Sequence, residues 1–384
     1  MSPVKRVALF TMSDTVMINL VLGLKRAFEA MGIEVVTGFD YLNGHRMRML
    51  VDWFKPDFIL EVNRSRNQIV DFDDKIHHIG WLEASYRPNG QRIDQGWGGS
   101  DLTYCNLDPL QMGVSRQQAP RWEILHFAMD EKTYFPFGAP PVWDVTTIGY
   151  LGRPIQPQEL AAVLSTGGVS LMFGEICAAL AADGLAETDF DSDRLQNCVL
   201  GLLRGKKSDY RPDEAYYQIL TLLDNRVLRA CGRADNLKRI LRVTREIKIF
   251  GGGGWAEDPT LRPFYVGPLF RPSEKSAIVN LSRLVYHYGR ISMHERVMEA
   301  MCCGVPPLVN RTPYDDRPFG IDSYFNDGDH FFYYDDDNIG DVVGRLLKDE
   351  NLRRRVGEQA RARILERHLW HHRAEQILAD FQSL

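Results

Sequence analysis

Cysteine is scarce in this chain and never paired at close spacing. Six cysteines stand among 384 residues, no C-x-x-C occurs, and Cys302 and Cys303 are neighbours on an expected helix, a poor geometry for bridging. A disulfide framework is excluded, and a reducing, cytoplasmic setting is expected. Long apolar runs are missing too. No stretch of about 18 uncharged apolar residues appears, so no transmembrane segment is expected. Val4 to Phe10 begins as a signal peptide would, but Ser13 and Asp14 interrupt it before an apolar h-region forms, and a buried first strand is the expected reading. Nor is charge of one sign in excess. Lysine and arginine number 46 against 51 aspartate and glutamate, a net of −5, so no global basic field recommends nucleic acid or an anionic membrane, and any phosphate site has to be local. Repeats and low-complexity tracts are absent as well. What is present is an ordinary globular composition, 44% apolar, 25% charged and 11% aromatic, in a chain long enough at about 150 residues per domain for two domains.

The order of periodic segments predicts an α/β chain. Val4 to Phe10 reads as a strand, Val16 to Met31 as a helix stopped by Gly32, and Ile33 to Val36 as the next strand, together a βαβ unit. Strand-like pieces follow at 58–60, 76–81, 102–105 and 122–127, an alternation that implies a mostly parallel sheet. Phe135 to Pro141 is rich in proline, breaks the periodicity and reads as an interdomain linker. A second α/β rhythm opens at Val145 to Tyr150. An almost wholly helical block at 157–245 interrupts it, with helices at 214–228 and 234–246. Strands at 247–250, 264–266, 278–280 and 308–309 then resume the rhythm, a helix starts at Met293, and helices close the chain. The expected fold class is α/β, two Rossmann-like domains, 1–140 and 141–369, facing across a cleft, with the helical block as an insertion in the second.

Three segments have a pattern that chemistry can use. Ser292 and Glu295 form an S-x-x-E capping box, Gly304 supplies a left-handed stop, and Pro306 and Pro307 forbid continuation, so a helix is bounded at both ends by sequence alone. Its start follows Tyr288-Gly289-Arg290-Ile291, where free amides favour an anion such as a diphosphate; an ordinary capped helix is the other reading. Gly251 to Ala256 satisfies G-x-G-x-x-A after a strand, but Pro-rich residues 258–268 supply no helix to receive a pyrophosphate. A dinucleotide site, a structural turn and a loop lining a ligand cleft all remain open there. In the N-terminal domain, positions past the carboxyl ends of strands nominate Ser13, Asp14, Asp40, Glu61, Asn63, Trp81, Glu83 and His126. Glu83 stands after a strand among aromatics, in Trp81-Leu82-Glu83-Ala84-Ser85-Tyr86, a setting that raises a carboxyl pKa and suits a base; a turn or a cap is the alternative for it and for Asp14.

Glu299-Ala300-Met301-Cys302-Cys303-Gly304-Val305-Pro306 resembles the E-A-M-A-C-G-x-P segment of GT-B glycosyltransferases. Thr147 to Arg153 is similar to the strand and loop that open the C-terminal domain of that family, and Lys248 to Trp255 to its strand-Gly-x-Gly-Trp turn. His368-Leu369-Trp370-His371-His372-Arg373 resembles the H-T-Y-x-H-R ending of the spore-maturation-protein-like (CgeB-like) subgroup, and Leu125 to Asp130 with Tyr134-Phe135-Pro136 its L-P-x-A-x-D and F-x-P segment. The likeness covers most of the chain except the helical block.

The resemblance implies transfer of a sugar from a nucleotide-activated donor to a hydroxyl of a glycan, small-molecule or protein acceptor. It implies no metal and no cofactor beyond the nucleoside-diphosphate-sugar substrate, and a C-terminal helix, 370–384, that completes the first domain. Donor contacts are expected from Gly152, Arg153, Gly252, Trp255, Val266, Arg290, Ser292, Met293 and Glu299, with Glu299 on the ribose and main-chain atoms around Val266 on the base. Glu83 and Asp14 are the candidate catalytic bases, the latter because a base directly after the first strand suits an inverting enzyme. Many retaining members carry a second glutamate eight residues before the first; Ile291 stands there, so that role has no bearer. No lysine follows Arg153 at the usual interval, which leaves Arg153, Arg283 and Arg290 as candidate diphosphate cations. A sugar-nucleotide epimerase or hydrolase, or a silent sugar-nucleotide-binding protein, are the alternative functions.

Three further clusters take plain readings. Asp335-Asp336-Asp337 precedes a helix that Asn338 caps, His368 and His372 pack at a helix end rather than bind zinc, and Arg353 to Arg355 with Arg361, Arg363 and Arg367 form a solvated helix face.

Overall fold

A computed structural model of the chain describes residues 3–72, 75–84, 93–109, 112–185, 193–228 and 232–384. The chain divides into two compact units, Met1–Asp130 with Glu366–Leu384 (unit 1) and Glu131–Leu365 (unit 2). The division falls before the expected boundary at 140. The Pro-rich stretch is the reason: Asn280 accepts from Phe137 N (2.8 Å) and donates to Phe135 O (3.0 Å), so residues expected to form a linker are fastened to unit 2.

Unit 1 opens with β1 (Arg6–Phe10) and α1 (Thr15–Ala30), whose Met17, Leu20, Val21, Leu24, Ala27 and Phe28 recur at helical spacing and are buried. Asp14 caps α1, its Oδ1 accepting from Val16 N (2.9 Å) and Met17 N (3.3 Å). Next come β2 (Glu34–Gly38), α2 (Gly44–Phe54), β3 (Phe58–Val62), β4 (His77–Leu82), β5 (Leu102–Cys105) and β6 (Trp122–Ile124), all paired parallel in the order β2-β1-β3-β4-β5-β6. This is the flavodoxin-like order, which reverses between β1 and β3. The sequence marks no clear bounds for α2. Asn43 caps it through Arg46 N (3.0 Å), and it ends on Lys55 in the left-handed region rather than on a glycine, so the usual stop signal is missing.

Unit 2 begins with β7 (Trp143–Ile148). The block expected to be helical then starts as a hairpin, β8 (Val163–Thr166) and β9 (Val169–Met172), before α3 (Phe173–Ala182), α4 (Asp193–Lys206), α5 (Glu214–Leu223) and α6 (Arg233–Ile240). Gly167 and Gly168 both take positive φ (56° and 77°), as a two-residue hairpin turn demands, and Gly-Gly between alternating residues was the overlooked signal. The sheet resumes with β10 (Ile247–Phe250) and β11 (Tyr265–Gly267). The expected strand at 278–280 is instead the end of α7 (Pro272–Asn280): Pro272 sits in its first turn, and the Glu274 carboxylate accepts from Phe270 N and Arg271 N (3.0 and 3.1 Å). After it come β12 (Ser282–His287), α8 (Glu295–Cys302), β13 (Pro307–Asn310), β14 (Phe332–Tyr334), α9 (Ile339–Lys348) and α10 (Glu350–Arg367). The strands are all parallel in the order β11-β10-β7-β12-β13-β14, the 3-2-1-4-5-6 arrangement of dinucleotide-binding folds, with its reversal between β7 and β12.

The basic face of α10 is less solvated than expected. Arg353 is 9% exposed and donates to Leu346 O and Leu347 O at the end of α9, Arg361 to Cys302 O at the end of α8, and Arg363 to Tyr324 O (3.1 Å). Guanidinium groups satisfy helix-end carbonyls, and their charge opposes the dipole there. At the triple aspartate, Asp335 Oδ1 accepts from the amides of Asp337 and Asn338, while Asn338 turns its own side chain back to Asp335 instead of capping α9.

The last helix, α11 (Trp370–Gln382), belongs to unit 1 and packs along α1, where the Trp370 ring occupies the space that a Cβ on Gly23 would need. Arg373 donates to His126 O (2.9 Å) and Phe127 O (3.3 Å) and meets His368 Nδ1 at 3.0 Å, and Met129 N donates to His368 O (2.8 Å). The two motif segments, 125–130 and 368–373, are thus one hydrogen-bonded element. Among the described residues no helix is long and apolar enough to cross a membrane, and no group of three or more His, Cys, Asp or Glu is arranged to hold a metal ion.

Candidate functional site

Open parallel sheets bind ligands outside the carboxyl ends of strands where the strand order reverses. In unit 2 that place lies past Ile148 of β7 and His287 of β12. The loop after β7 runs beside the loop after β10: Gly149 N donates to Phe250 O (2.9 Å), Leu151 N to Gly252 O (3.2 Å) and Gly254 N to Leu151 O (2.8 Å). Side chains would prevent this approach, because a Cβ on Gly251 would overlap Gly149 O and one on Gly253 would overlap Leu151 O. The glycine run therefore serves close backbone packing. No helix of pyrophosphate-binding length follows it before β11, only two 3₁₀ turns, at Gly254–Ala256 and Arg262–Phe264. Trp255 is a core residue at 0% exposure whose indole N–H donates to Gly149 O (2.9 Å), so it holds the loop from inside and is placed for no donor contact. Val266 is 58% exposed on β11, the edge strand of the sheet. Arg153, exposed and paired with Glu257 (3.3 Å), lines an open groove of about 680 Å³ with Tyr150, Gln156, Arg226 and Gly253.

Sequence reasoning missed the residue that spans the reversal. Arg233, at the start of α6, donates to Tyr150 O after β7 and to Tyr288 O (2.5 Å) after β12, and so joins the two loops that flank it. No motif marks it. Arg283, by contrast, sits at the start of β12 paired with Asp144 (2.7 Å), at the amino end of the sheet, which removes it from the candidate cations.

The expected capping box is not formed. Ser292 donates instead to Asn310 O (3.0 Å), α8 starts at Glu295, and the cap is His294, whose Nδ1 accepts from Arg296 N (3.2 Å). Ser292 and Met293 are buried, at 1% and 5% exposure, as parts of the turn leading in. The C-terminal half of the reading holds: Gly304 has φ 74° and Val305 N donates to Ala300 O (3.0 Å). His287 and His294 stack with ring centroids 4.8 Å apart. Burial, then the Arg233 charge, brings the His287 pKa down to about 3. Burial, then His287 and Arg296, holds His294 well below its ordinary value. Both are neutral imidazoles near pH 7. Beneath them Glu299, 1% exposed, accepts at Oε1 from the Tyr134 hydroxyl (2.5 Å) and Lys275 Nζ (3.1 Å). One turn earlier, Glu295 has its pKa raised by burial and by Glu299. The cluster thus offers neutral donors, cations and one buried carboxylate.

In unit 1 the residues past the strand ends are of another kind. Asn63 takes φ 59° after β3, and its Oδ1 accepts from Glu83 N (2.8 Å) and Ala84 N (3.0 Å); Asn106 Nδ2 after β5 donates to Glu83 O (3.0 Å). Glu83 is half-buried with its backbone fixed from both sides, while Ser85 and Tyr86 lie outside the described residues. Ser13 and Asp40 are exposed. Glu61 and Trp81 lie within β3 and β4 and are fully buried, so neither faces a ligand. Glu61 is tied to Arg64 (3.3 Å) and His78 (3.1 Å). His126 is buried, and burial followed by the Arg373 charge brings its pKa down to about 3.

Comparison with known proteins fits this geometry. Residues 229–379 match the glycosyl transferase-like family. Sucrose-phosphate synthase of Thermosynechococcus elongatus superposes with a TM-score of 0.54 at 9% identity, over 99% of this chain and 98% of that one. HepE of Anabaena, in complex with UDP-glucose, superposes with a TM-score of 0.56 at 10% identity, over 99% and 100%. The chain has the GT-B fold, and its residues 229–379 are similar to the glycosyl transferase-like family. In sequence it is 27% identical over 177 residues to N-acetyl-alpha-D-glucosaminyl L-malate synthase of Bacillus anthracis, a match that takes in 44% of this chain and 40% of the relative's length. The matched span takes in the 248–255 and 299–306 segments; 147–153 lies outside it.

Proposed function

We propose that the chain transfers a glycosyl group from a nucleoside-diphosphate sugar to an acceptor hydroxyl without a metal ion. The observation that carries this reading is the loop pair at the β7/β12 reversal, joined by Arg233, which with the loop after β12 lies inside the family match at 229–379. In it the base lies along the main chain near Val266, Glu299 receives the ribose, and the diphosphate lies by Arg233, Arg290, Arg296 and the start of α8. As the acceptor oxygen bonds to the anomeric carbon, the bond from that carbon to the diphosphate breaks. The departing negative charge then meets fixed cations and helix-start dipoles. The proton released by the acceptor goes to Glu83, because Asp14 commits Oδ1 to two amides of α1. Kinship with the CgeB-like subgroup is supported by the paired 125–130 and 368–373 segments. A cytoplasmic location is supported by Cys105, Cys177, Cys198, Cys302 and Cys303, which carry thiols rather than disulfides.

The test is nucleoside-diphosphate release from a panel of nucleotide sugars in excess EDTA, with and without candidate acceptors, for the wild type and Arg233→Gln. Acceptor-dependent release that survives EDTA and falls at least tenfold in the variant is expected. Release that needs Mn²⁺ or Mg²⁺ contradicts the metal-free mechanism, and release indifferent to acceptor favours a hydrolase.

A further inference from the structure

Tyr134-Phe135-Pro136 lies in neither strand nor helix. Its bonds give it a purpose. The Tyr134 carbonyl accepts from Cys302 Sγ (3.1 Å) and Arg361 (3.5 Å), and Asn280 holds the backbone on both sides of Pro136. Helices α7, α8 and α10 therefore fix the backbone from which the Tyr134 ring projects.

The hydroxyl of that ring donates to Glu299 Oε1 at 2.5 Å, and Lys275 Nζ of α7 donates to the same oxygen at 3.1 Å. Tyr134 is 6% exposed, Glu299 1% and the Lys275 side chain 14%, so the triad is sheltered from solvent. Burial draws the Lys275 pKa down, but the charges of Glu299 and Glu295 more than offset it, and Lys275 stays an ammonium donor. A carboxylate oxygen has two acceptor positions. On Oε1 both are filled. Oε2 of the same carboxylate is buried and has no hydrogen-bond partner, an expensive condition for a native acceptor unless a ligand supplies the donors.

We propose that Tyr134 and Lys275 are positioning residues that occupy Oε1 of Glu299 and so reserve Oε2 for the vicinal hydroxyls of a ribose, which makes them determinants of preference for ribonucleotides over 2′-deoxyribonucleotides. The inference rests on the donor site proposed above. It adds two residues from outside the glutamate's own helix and a selectivity that follows from the hydrogen-bond count: a deoxyribose brings one donor fewer to an oxygen with no other partner.

The experiment is calorimetry on the full chain with UDP, GDP, ADP, CDP and their 2′-deoxy forms. The variants are Tyr134→Phe, Lys275→Ala and Lys275→Arg, with a thermal midpoint measured for each. The wild type is expected to bind its ribonucleotide at least tenfold more tightly than the deoxy form. Tyr134→Phe brings that ratio to within about threefold, mainly by weakening the ribonucleotide; Lys275→Ala does the same, and Lys275→Arg restores it. If Tyr134→Phe does not fold, the two lysine variants decide. A ratio that stays at the wild-type value in folded variants, or equal weakening of both nucleotides, overturns the positioning role alone. Failure of the wild type to bind any of these nucleotides overturns the donor site and this inference with it.

Discussion

The two sheets have six parallel strands each, yet the residues past their carboxyl ends are of opposite chemistry. In unit 2 they include arginines and neutral imidazoles among glycines, Arg233, Arg290, Arg296, His287 and His294, while the Asn310 carboxamide is closed onto Gly289 and one oxygen of Glu299 onto Tyr134 and Lys275. In unit 1 they are carboxylates and amides, Asp14, Asn63, Glu83 and Asn106; the Arg64 guanidinium is turned inward to Glu61, and that of Arg373 holds the His126 and Phe127 carbonyls. A parallel sheet supplies a place, and its strand order says where along the edge that place lies. The loop side chains decide what it takes: fixed cations and glycine amides suit a diphosphate, while carboxylates and carboxamides suit hydroxyls.

The largest effect that separates the units is expected from Glu61→Ala. It leaves the Arg64 guanidinium, in a residue 7% exposed, without its carboxylate and Nε2 of His78 without its partner, a cost of roughly 3–5 kcal/mol. Chemical denaturation should show early loss of unit 1, with nucleotide affinity in the folded protein unchanged. A change in that affinity would break the division of labour. Gly251→Ala comes next and strikes unit 2: φ is 122° and the new Cβ overlaps Gly149 O, so a loss of about 3 kcal/mol is expected together with loss of nucleotide binding. Gly32→Ala in unit 1, at φ 78° with nothing within 4 Å, should cost only about 1 kcal/mol and leave binding intact.

Acid gives the smallest and most graded contrast. His287, His294 and His126 are held neutral in the folded chain, while an unfolded histidine takes its proton near pH 6.5. Below that pH the unfolded state binds more protons, so stability falls as pH drops from about 6.5 towards 3, by roughly 1 kcal/mol per pH unit for each histidine. Two of the three are in unit 2. Its midpoint should fall faster with acid than that of unit 1. Glu295, whose pKa is raised, acts in the opposite sense above its ordinary value of 4.5, so Glu295→Gln should steepen the loss. Midpoints measured from pH 7 to 4 check both slopes.

How much of this was legible depends on whether a signal was local. Strands β1, β7 and β10 announced themselves as short apolar runs, and Gly304 with Pro306 and Pro307 marked the end of α8 because a stop is a property of a few adjacent residues. The start of α8 was misread. Ser292 has the composition of a cap, yet its hydroxyl is taken by Asn310 O on β13, eighteen residues away, and a histidine caps in its place. Arg233 and Lys275 carry no motif, and the segment likeness at Tyr134 says nothing of Glu299; tertiary contacts bring them to the loops and to Glu299 over 24 to 165 residues of sequence. Glu61 was nominated as a ligand group because it lies near a strand end, whereas side-chain alternation turns it into the interior one residue before that end. Strand order, and with it the place of each reversal, is not written in any single segment.

Hydrogen exchange on the full chain, with and without a saturating nucleoside diphosphate, tests the central assignment directly. Protection is expected at amides 149–153, 251–254 and 288–297 of unit 2, with no change at 11–14, 63–64, 83–84 and 106 of unit 1. Protection confined to the unit 1 positions, or none at the β7/β12 reversal, would contradict it.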